Sequence, residues 1–388
     1  MADNPRAVKG FFKMQGYFVE SAKLPAMPLW GRIEGERKLL SFDLEITARC
    51  NNNCRHCYVN LPANDRMARK DELSLNGIKK IVDQALDLGA LWCLITGGEP
   101  LLRKDFFDIY IYLKQKGLLV SVFSNATLLT KKHADFFKKY PPRDFEVTLY
   151  GVTQETYEKV TRTPGSFKAF MNGVKLLLEK GIKVRFKTMA LRSNLNELPQ
   201  IAQFCRERTK DYFRFDPFLH LRFDKNSKRN EEIKCERLSV EEIASIERAD
   251  PERSQALKKD CAKLIFPGAK NTGCNHLFHC RAGSGSFSVS YDGYFRLCSS
   301  LLHPDCVYDL KNGRLEEVWG HFVSKVRDMR SNKAEFLKKC RKCPIVNLCA
   351  WCPAYAYLET GELDNPVDYF CKAAHARVAM VEKESSLL

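Results

Sequence analysis

The stretch "LSLNGIKKIVDQALDLG" (Leu73–Gly89) decides the fold of this chain. Leu75, Ile78, Ile81, Val82, Ala85 and Leu86 fall on one face of a helical period. Ser74 stands where an N-cap is needed, and Gly89 where the helix must stop. Short apolar runs flank it, "FDLEI" (42–46) before and "LWCLI" (91–95) after. Strand, helix and strand in that order make a parallel βαβ unit. The alternation then continues through "LLVSVF" (118–123), "FEVTL" (145–149), "VRFKTMA" (184–190) and "YFRFD" (212–216). Helices are predicted near 104–117 and 130–138, between 153 and 180, and near 195–209. Six such strands predict a parallel sheet with helices outside and functional loops at the strands' C-terminal ends.

Of the 388 residues, 45% are hydrophobic, which is ordinary for a globular protein. The length suits one large domain and a smaller one. The net charge of +16 is not ordinary. Such a surface attracts nucleic acid, acidic peptides or charged small molecules, though a merely solvated basic face fits equally. The opening residues, "MADNPRAVKGFFKMQGYFVESAKLPAM", are broken by charges and prolines and lack a signal peptide's apolar core. No stretch approaches the ~18 apolar residues of a membrane span. A cytoplasmic protein with reduced thiols is expected, and there the 16 cysteines point to metal before disulfide.

Between the first strand and the helix lies "CNNNCRHCY" (Cys50–Tyr58). Three thiolates in one loop can ligate three irons of a cubane cluster and leave the fourth open. Structural zinc needs four protein ligands, and no fourth is near. A catalytic zinc keeps an open position, but three cysteines are an uncommon set for it. Unrelated buried thiols prefer apolar surroundings, and this loop is polar.

The loop resembles the CxxxCxxC-aromatic signature of radical S-adenosylmethionine (SAM) enzymes. "TGGEP" (96–100), at the end of the second strand, resembles their GGEP motif. The resemblance covers residues 40 to 220. It implies an α/β fold with a partial (β/α)6 TIM-like barrel, assigned here to 40–224. It also implies that Cys50, Cys54 and Cys57 hold a [4Fe-4S] cluster whose open iron binds S-adenosyl-L-methionine. Reductive cleavage then yields a 5′-deoxyadenosyl radical that takes hydrogen from a substrate. Gly97, Gly98, Glu99 and Pro100 would bind this cofactor, the glycines by letting backbone approach it closely. Glu99 or neighbouring carbonyls would accept from the methionine ammonium. Ser124 and Asn125 ("FSNAT") would lie near the ribose or carboxylate. Thr148 and Arg162 match cofactor-contacting positions, and Arg162 would pair with the methionine carboxylate. Each is equally readable as an ordinary strand-end polar residue or surface arginine.

Residues 225–270 are strongly charged, without a strand pattern, and read as a helical connector. From Asn271 the composition changes, and 271–375 read as a cysteine-rich domain between that connector and a tail over 376–388. Residues 1–39 form an N-terminal segment. Cys274, Cys280 and Cys298 are followed by Cys340, Cys343, Cys349, Cys352 and Cys371. Eight cysteines suffice for two fully ligated cubanes, with zinc as the alternative. The pattern resembles the SPASM extension of radical SAM enzymes. That resemblance puts an auxiliary [4Fe-4S] cluster on Cys274, Cys280, Cys298 and Cys352, and a second on Cys340, Cys343, Cys349 and Cys371. Two residues separate Cys349 from Cys352 where relatives have three, which leaves those two open to exchange. "FSVSYDGYFRLC" (287–298) reads as a hairpin turning at Asp292-Gly293. Cys93 and Cys205 read as core, Cys235 and Cys261 as incidental, and Cys306 as lone.

Relatives of this kind mostly modify peptides or proteins, so oxidation of a peptide or protein substrate is the first expectation, with the auxiliary clusters as electron conduit. Modification of a small-molecule or cofactor precursor is the second. A non-catalytic iron–sulfur or zinc protein is disfavoured by GGEP, which a carrier does not need. Sulfatase-maturase activity is not supported, because Ser299 and Ser300 follow Cys298 where an Asp would stand. Too few residues precede the first strand for a leader-binding domain, so a separate leader-binding protein is left open. A reductant such as flavodoxin or ferredoxin is implied, and nucleic acid and membrane partners are disfavoured. Asp216 and His220, after the sixth strand, are candidate acid–base groups, although a turn cap and a packed histidine fit them better. Tyr58 is expected to pack against the cluster or cofactor.

Overall fold

The computed structural model describes residues 38–210, 213–265 and 275–385. Most of the expected N-terminal segment, the end of the connector and Cys274 lie outside the described residues. Nine strands form one sheet: β1 (Ser41–Thr47), β2 (Trp92–Gly97), β3 (Leu119–Ser124), β4 (Asp144–Thr148), β5 (Val184–Met189), β6 (Arg214–Asp216), β7 (Ser286–Val289), β8 (Tyr294–Arg296) and β9 (Val307–Asp309). Their order is β9-β8-β7-β1-β2-β3-β4-β5-β6, and β1 through β6 are parallel neighbours in chain order. Helices α1 (Leu75–Asp87), α2 (Phe106–Gln115), α3 (Lys131–Lys139), α4 (Gln154–Thr161), α5 (Ser166–Glu179) and α6 (Leu198–Arg208) connect them. The fold is therefore α/β with a central parallel sheet, the partial TIM-like barrel.

The deciding helix forms for the reasons its sequence gives. Ser74 caps α1 by accepting from the Gly77 amide, and Ile78, Ile81, Val82 and Ala85 are buried. Gly89 follows at φ +97°, which favours glycine. In β1, Phe42, Leu44 and Ile46 join the main core, and the alternate residues Asp43 and Glu45 face the barrel lumen.

The cysteine-rich region does not stand apart as the sequence had implied. β7 pairs in parallel with β1, Phe42 opposite Phe287 and Asp43 opposite Ser288. β7 and β8 form the expected hairpin, with Gly293 at φ +90° in its turn. The described part of the charged connector is helical, as its sequence implied. It folds into α7 (Ser227–Glu236), α8 (Val240–Ala249) and α9 (Pro251–Leu264). Two more helices close the chain, α10 (Pro353–Thr360) and α11 (Asp368–Ser385), and α11 runs straight through the expected boundary at 375. Arg377, assigned by sequence to the tail, is buried and reaches Glu247 of α8 at 2.5 Å. Cys261 is buried with Ile345, Ala374, Val378 and Val381 rather than incidental. Among the described residues no helix is long and apolar enough to cross a membrane.

The shared sheet predicts shared stability. Phe287 is 1% exposed, with ring centroids 5.5 Å from Phe42 and 5.1 Å from Phe295. Phe287→Ala should cost about 3–5 kcal/mol. Denaturant unfolding should show barrel and hairpin lost in one transition at a lower midpoint. A barrel transition left at its original midpoint would contradict this coupling.

Candidate active site

The end of β1 runs directly into the cysteine loop, and "TGGEP" packs beneath it. The Gly98 amide donates to the Thr47 carbonyl at 2.6 Å, and the Glu99 amide to that of Arg49 at 2.8 Å. A Cβ at Gly97 would overlap the Thr47 carbonyl, and one at Gly98 the carbonyls of Arg49 and Ala48. The two glycines thus allow close approach to the protein's own backbone, where the sequence suggested approach to a ligand. Gly97 also sits at φ +139°.

Glu99 is fully buried, and its carboxylate is already engaged. It accepts from the Ser124 hydroxyl at 2.9 and 3.1 Å, the Asn125 amide at 2.7 Å and the Leu101 amide at 3.1 Å. Burial nonetheless raises its pKa to about 7. Its side chain locks the ends of β2 and β3 together, with Pro100 opening the next turn. Asn125 then turns its Nδ2 to the Asn51 side chain at 3.0 Å and to Cys50 Sγ at 3.6 Å.

The loop is held from two further sides. The Asn53 and Arg55 amides donate to the Thr161 and Val160 carbonyls at the end of α4, at 2.9 and 3.0 Å. From the segment just before the connector, Arg222 donates to the Cys57 carbonyl at 3.1 Å and to Asn60 Oδ1 at 2.8 Å. Arg229 donates to the Cys54 carbonyl at 2.8 Å. Arg162 lies beside this clamp at φ +52°, with its guanidinium 2.9 Å from Glu232. A methionine carboxylate would have to draw it from that partner. Thr148 ends β4 opposite Lys187, whose ammonium is 2.5 Å from Glu146 and 3.7 Å from the Phe123 ring centroid.

The lumen below the loop holds an acidic pair that the sequence reading missed. Glu45 is buried and ion-paired with Arg296 of β8. Asp43 has one hydroxyl partner, Ser288 at 3.3 Å, and burial raises its carboxyl pKa to about 6. Their signal lay in "FDLEI", where two carboxylates alternate with apolar residues in a buried strand. The two acid–base candidates named from sequence lie apart from this pair. Asp216 is exposed and accepts from the Phe218 amide at 3.0 Å, a turn cap. His220 is packed among rings, and burial lowers its pKa to about 4.

The thiols fall into two further groups. Cys298 and Cys280 both bear electrostatically on Cys352, whose own thiol burial pushes up to about 12. Cys349, Cys371 and Cys343 all bear on Cys340. Cys306 is fully buried beside Met329, Sγ to Sδ 3.7 Å. All fifteen described cysteines are free thiols.

Residues 44–205 match the Radical SAM superfamily. They are a radical SAM domain. An AdoMet-dependent heme synthase of Nitratidesulfovibrio vulgaris is 25% identical over 82% of this chain and 88% of its own length. The subtilosin biosynthesis protein AlbA of Bacillus subtilis is 31% identical, over 42% of this chain and 36% of its own. Among solved structures, SuiB of Streptococcus suis bound to precursor peptide SuiA superposes with a TM-score of 0.63. That match is at 17% identity and covers 86% of this chain and 76% of SuiB.

A radical SAM domain implies an enzyme that carries a [4Fe-4S] cluster and S-adenosylmethionine. The donor set at the loop fits such a cluster. Burial pushes the Cys50 thiol up to about 12 and that of Cys54 well above the usual thiol range, each raised again by its neighbours. Grouped thiols whose ionisation burial opposes gain from a cationic iron–sulfur core. The Asn52 amide, 3.4 Å from Cys50 Sγ, and Asn125 Nδ2 are donors to that sulfur. Among the described residues no three metal-type side chains converge as they would on a single ion. A cubane places each thiolate on a different iron, so its ligands need not meet at one point.

Two outcomes test this geometry. Gly98→Ala should cost about 1–3 kcal/mol through overlap with the Ala48 and Arg49 carbonyls, read as a lower denaturation midpoint. For Asp43, the folded pKa of about 6 lies above its ordinary 3.8, so ionisation opposes folding. The stability of the parent relative to Asp43→Asn should therefore fall as pH rises through that window and level off above it. A difference that stays constant with pH would refute the perturbed carboxyl.

Proposed function

We propose that this chain is an oxidising radical SAM enzyme whose substrate is a small molecule, held in the lumen between the loop cysteines and the C-terminal ones. The observation that carries this is Arg296. It stands on β8, two residues before Cys298, yet its ion pair is Glu45 of β1. The lumen wall is thus built by both halves of the chain. Relatives similar across both halves bear most directly on the substrate, and the one described above is named a heme synthase. The peptide reading that the sequence favoured stands second. It is supported by the likeness in fold to SuiB, whose structure holds a precursor peptide, and by AlbA over the barrel alone.

When bound, the cluster and S-adenosylmethionine supply one-electron cleavage of the sulfonium and removal of a hydrogen atom from carbon. This chain's residues do the rest. Cys50, Cys54 and Cys57 ligate the cluster. Gly97, Gly98, Glu99 and Pro100 set the strand ends, where backbone carbonyls meet the methionine ammonium. Ser124, Asn125, Thr148 and Arg162 line the remaining cofactor edge. Glu45 is neutralised by Arg296, which leaves Asp43 as the lumen carboxylate free to take a proton, in place of Asp216 or His220. Cys274, Cys280, Cys298 and Cys352 hold one auxiliary [4Fe-4S] cluster, and Cys340, Cys343, Cys349 and Cys371 another. The electrostatic grouping of the described thiols supports that division. The free thiols fit a cytoplasmic setting with a flavodoxin- or ferredoxin-like reductant.

Anaerobically reconstituted protein should hold ~12 irons if all three cubanes form. With dithionite and S-adenosylmethionine it should release 5′-deoxyadenosine. Cys54→Ala should abolish release, while Cys371→Ala should leave some uncoupled cleavage. Equal loss in both would contradict the division of roles. Conversion of a peptide encoded beside this gene would overturn the small-molecule reading.

A further inference from the structure

Three polar-headed rings stand in line between the loop and the second cysteine group. Tyr58 directly follows Cys57, and the charges of Glu45, Arg296 and Asp43 in the lumen all act on its hydroxyl. Its ring centroid is 4.7 Å from that of His220. His220 in turn stacks on Tyr355, centroids 4.8 Å apart and planes 22° from parallel. The Tyr355 amide donates to Cys352 Sγ at 3.5 Å. Each spacing is direct ring contact. Covalent bonds and contacts therefore run unbroken from Cys57 to Cys352.

Ordinary packing explains this column poorly. His220 Nδ1 is buried without a hydrogen-bond partner, which costs about 1–3 kcal/mol that a leucine would avoid. Phe223 also contacts Tyr58, centroids 4.6 Å apart, so that ring has apolar cover without the histidine.

We propose that Tyr58, His220 and Tyr355 are the electron path between the lumen and the iron–sulfur group held by Cys280, Cys298 and Cys352. This rests on reading that thiol group as a cluster site. In an oxidation, a substrate carbon gives one hydrogen atom to the cofactor-derived radical. As the product's new bond forms, the remaining radical loses one proton and one electron. The proton goes to Asp43, and the electron reduces the second iron–sulfur group by one. Contacting π systems carry an electron better than a gap does, and the path serves both directions.

Reverse flow gives a test that needs no substrate. The fully loaded chain is reduced, freed of reductant and mixed with S-adenosylmethionine. A first phase of 5′-deoxyadenosine draws on the loop cluster's own electron. A later phase draws on electrons stored in the second group, and freeze-quench EPR follows their loss. Relative to its own first phase, His220→Leu should slow the later phase several-fold, as should Tyr355→Leu. Tyr58→Phe and Tyr355→Phe, which keep the rings, should run the later phase faster than the leucine variants. A later phase unchanged in both leucine variants at parental iron content would overturn the path. So would ring-keeping variants as slow as the leucine ones. Iron content near four per chain, with no second EPR signal, would instead remove the second cluster itself.

Discussion

β1 is hydrogen-bonded along both edges, and the rest of the molecule depends on that. One edge carries β2 and through it the barrel; the other carries β7 and through it the cysteine-rich region. The strand's C-terminal end becomes the cysteine loop, its lumen face presents Asp43 and Glu45, and its opposite face buries Phe42, Leu44 and Ile46. One short strand therefore fixes where the loop cysteines, the lumen acids and the hairpin lie relative to one another. The close approach at Gly97 and Gly98 holds that end in place, since a side chain there would meet the backbone of Thr47 or of Ala48 and Arg49 just beyond it.

The parts of the fold that were legible in the sequence are those written in local pattern. The face of α1, its Ser74 cap and its Gly89 stop follow from spacing and backbone preference, and so do the six parallel strands. The turn at Gly293 is local as well. The pairing of β7 with β1 spans more than two hundred residues, and no periodicity announces it. The same holds for Arg377 on Glu247 and for the helix that runs through 375. Composition changed at Asn271, but a change of composition is not a break in the sheet.

The site divides along the same line. The loop cysteines and GGEP were legible because their chemistry requires fixed spacing. Glu99 shows what a motif leaves out, since its carboxylate serves Ser124, Asn125 and Leu101. Asp216 and His220 were singled out by position after a strand, a weaker criterion than the face a strand residue occupies. Asp43 and Glu45 sat in the first strand quoted, as polar residues alternating through a buried segment. A charge retained there needs a partner or a purpose. Glu45 has the partner, Arg296.

The connector's charge is best understood from the loop it touches. A cysteine loop that binds an anionic cluster accumulates negative charge where burial already raises the cost of ionising Cys50 and Cys54. Arg222 and Arg229 stand against that loop and donate to the carbonyls of Cys57 and Cys54. They place positive charge beside the thiols without competing for sulfur, because the bonds go to backbone. Asp224 and Glu232 hold the two guanidiniums in place from the far side. Arg229 of the connector and Arg222 just before it thus form a second wall of the site.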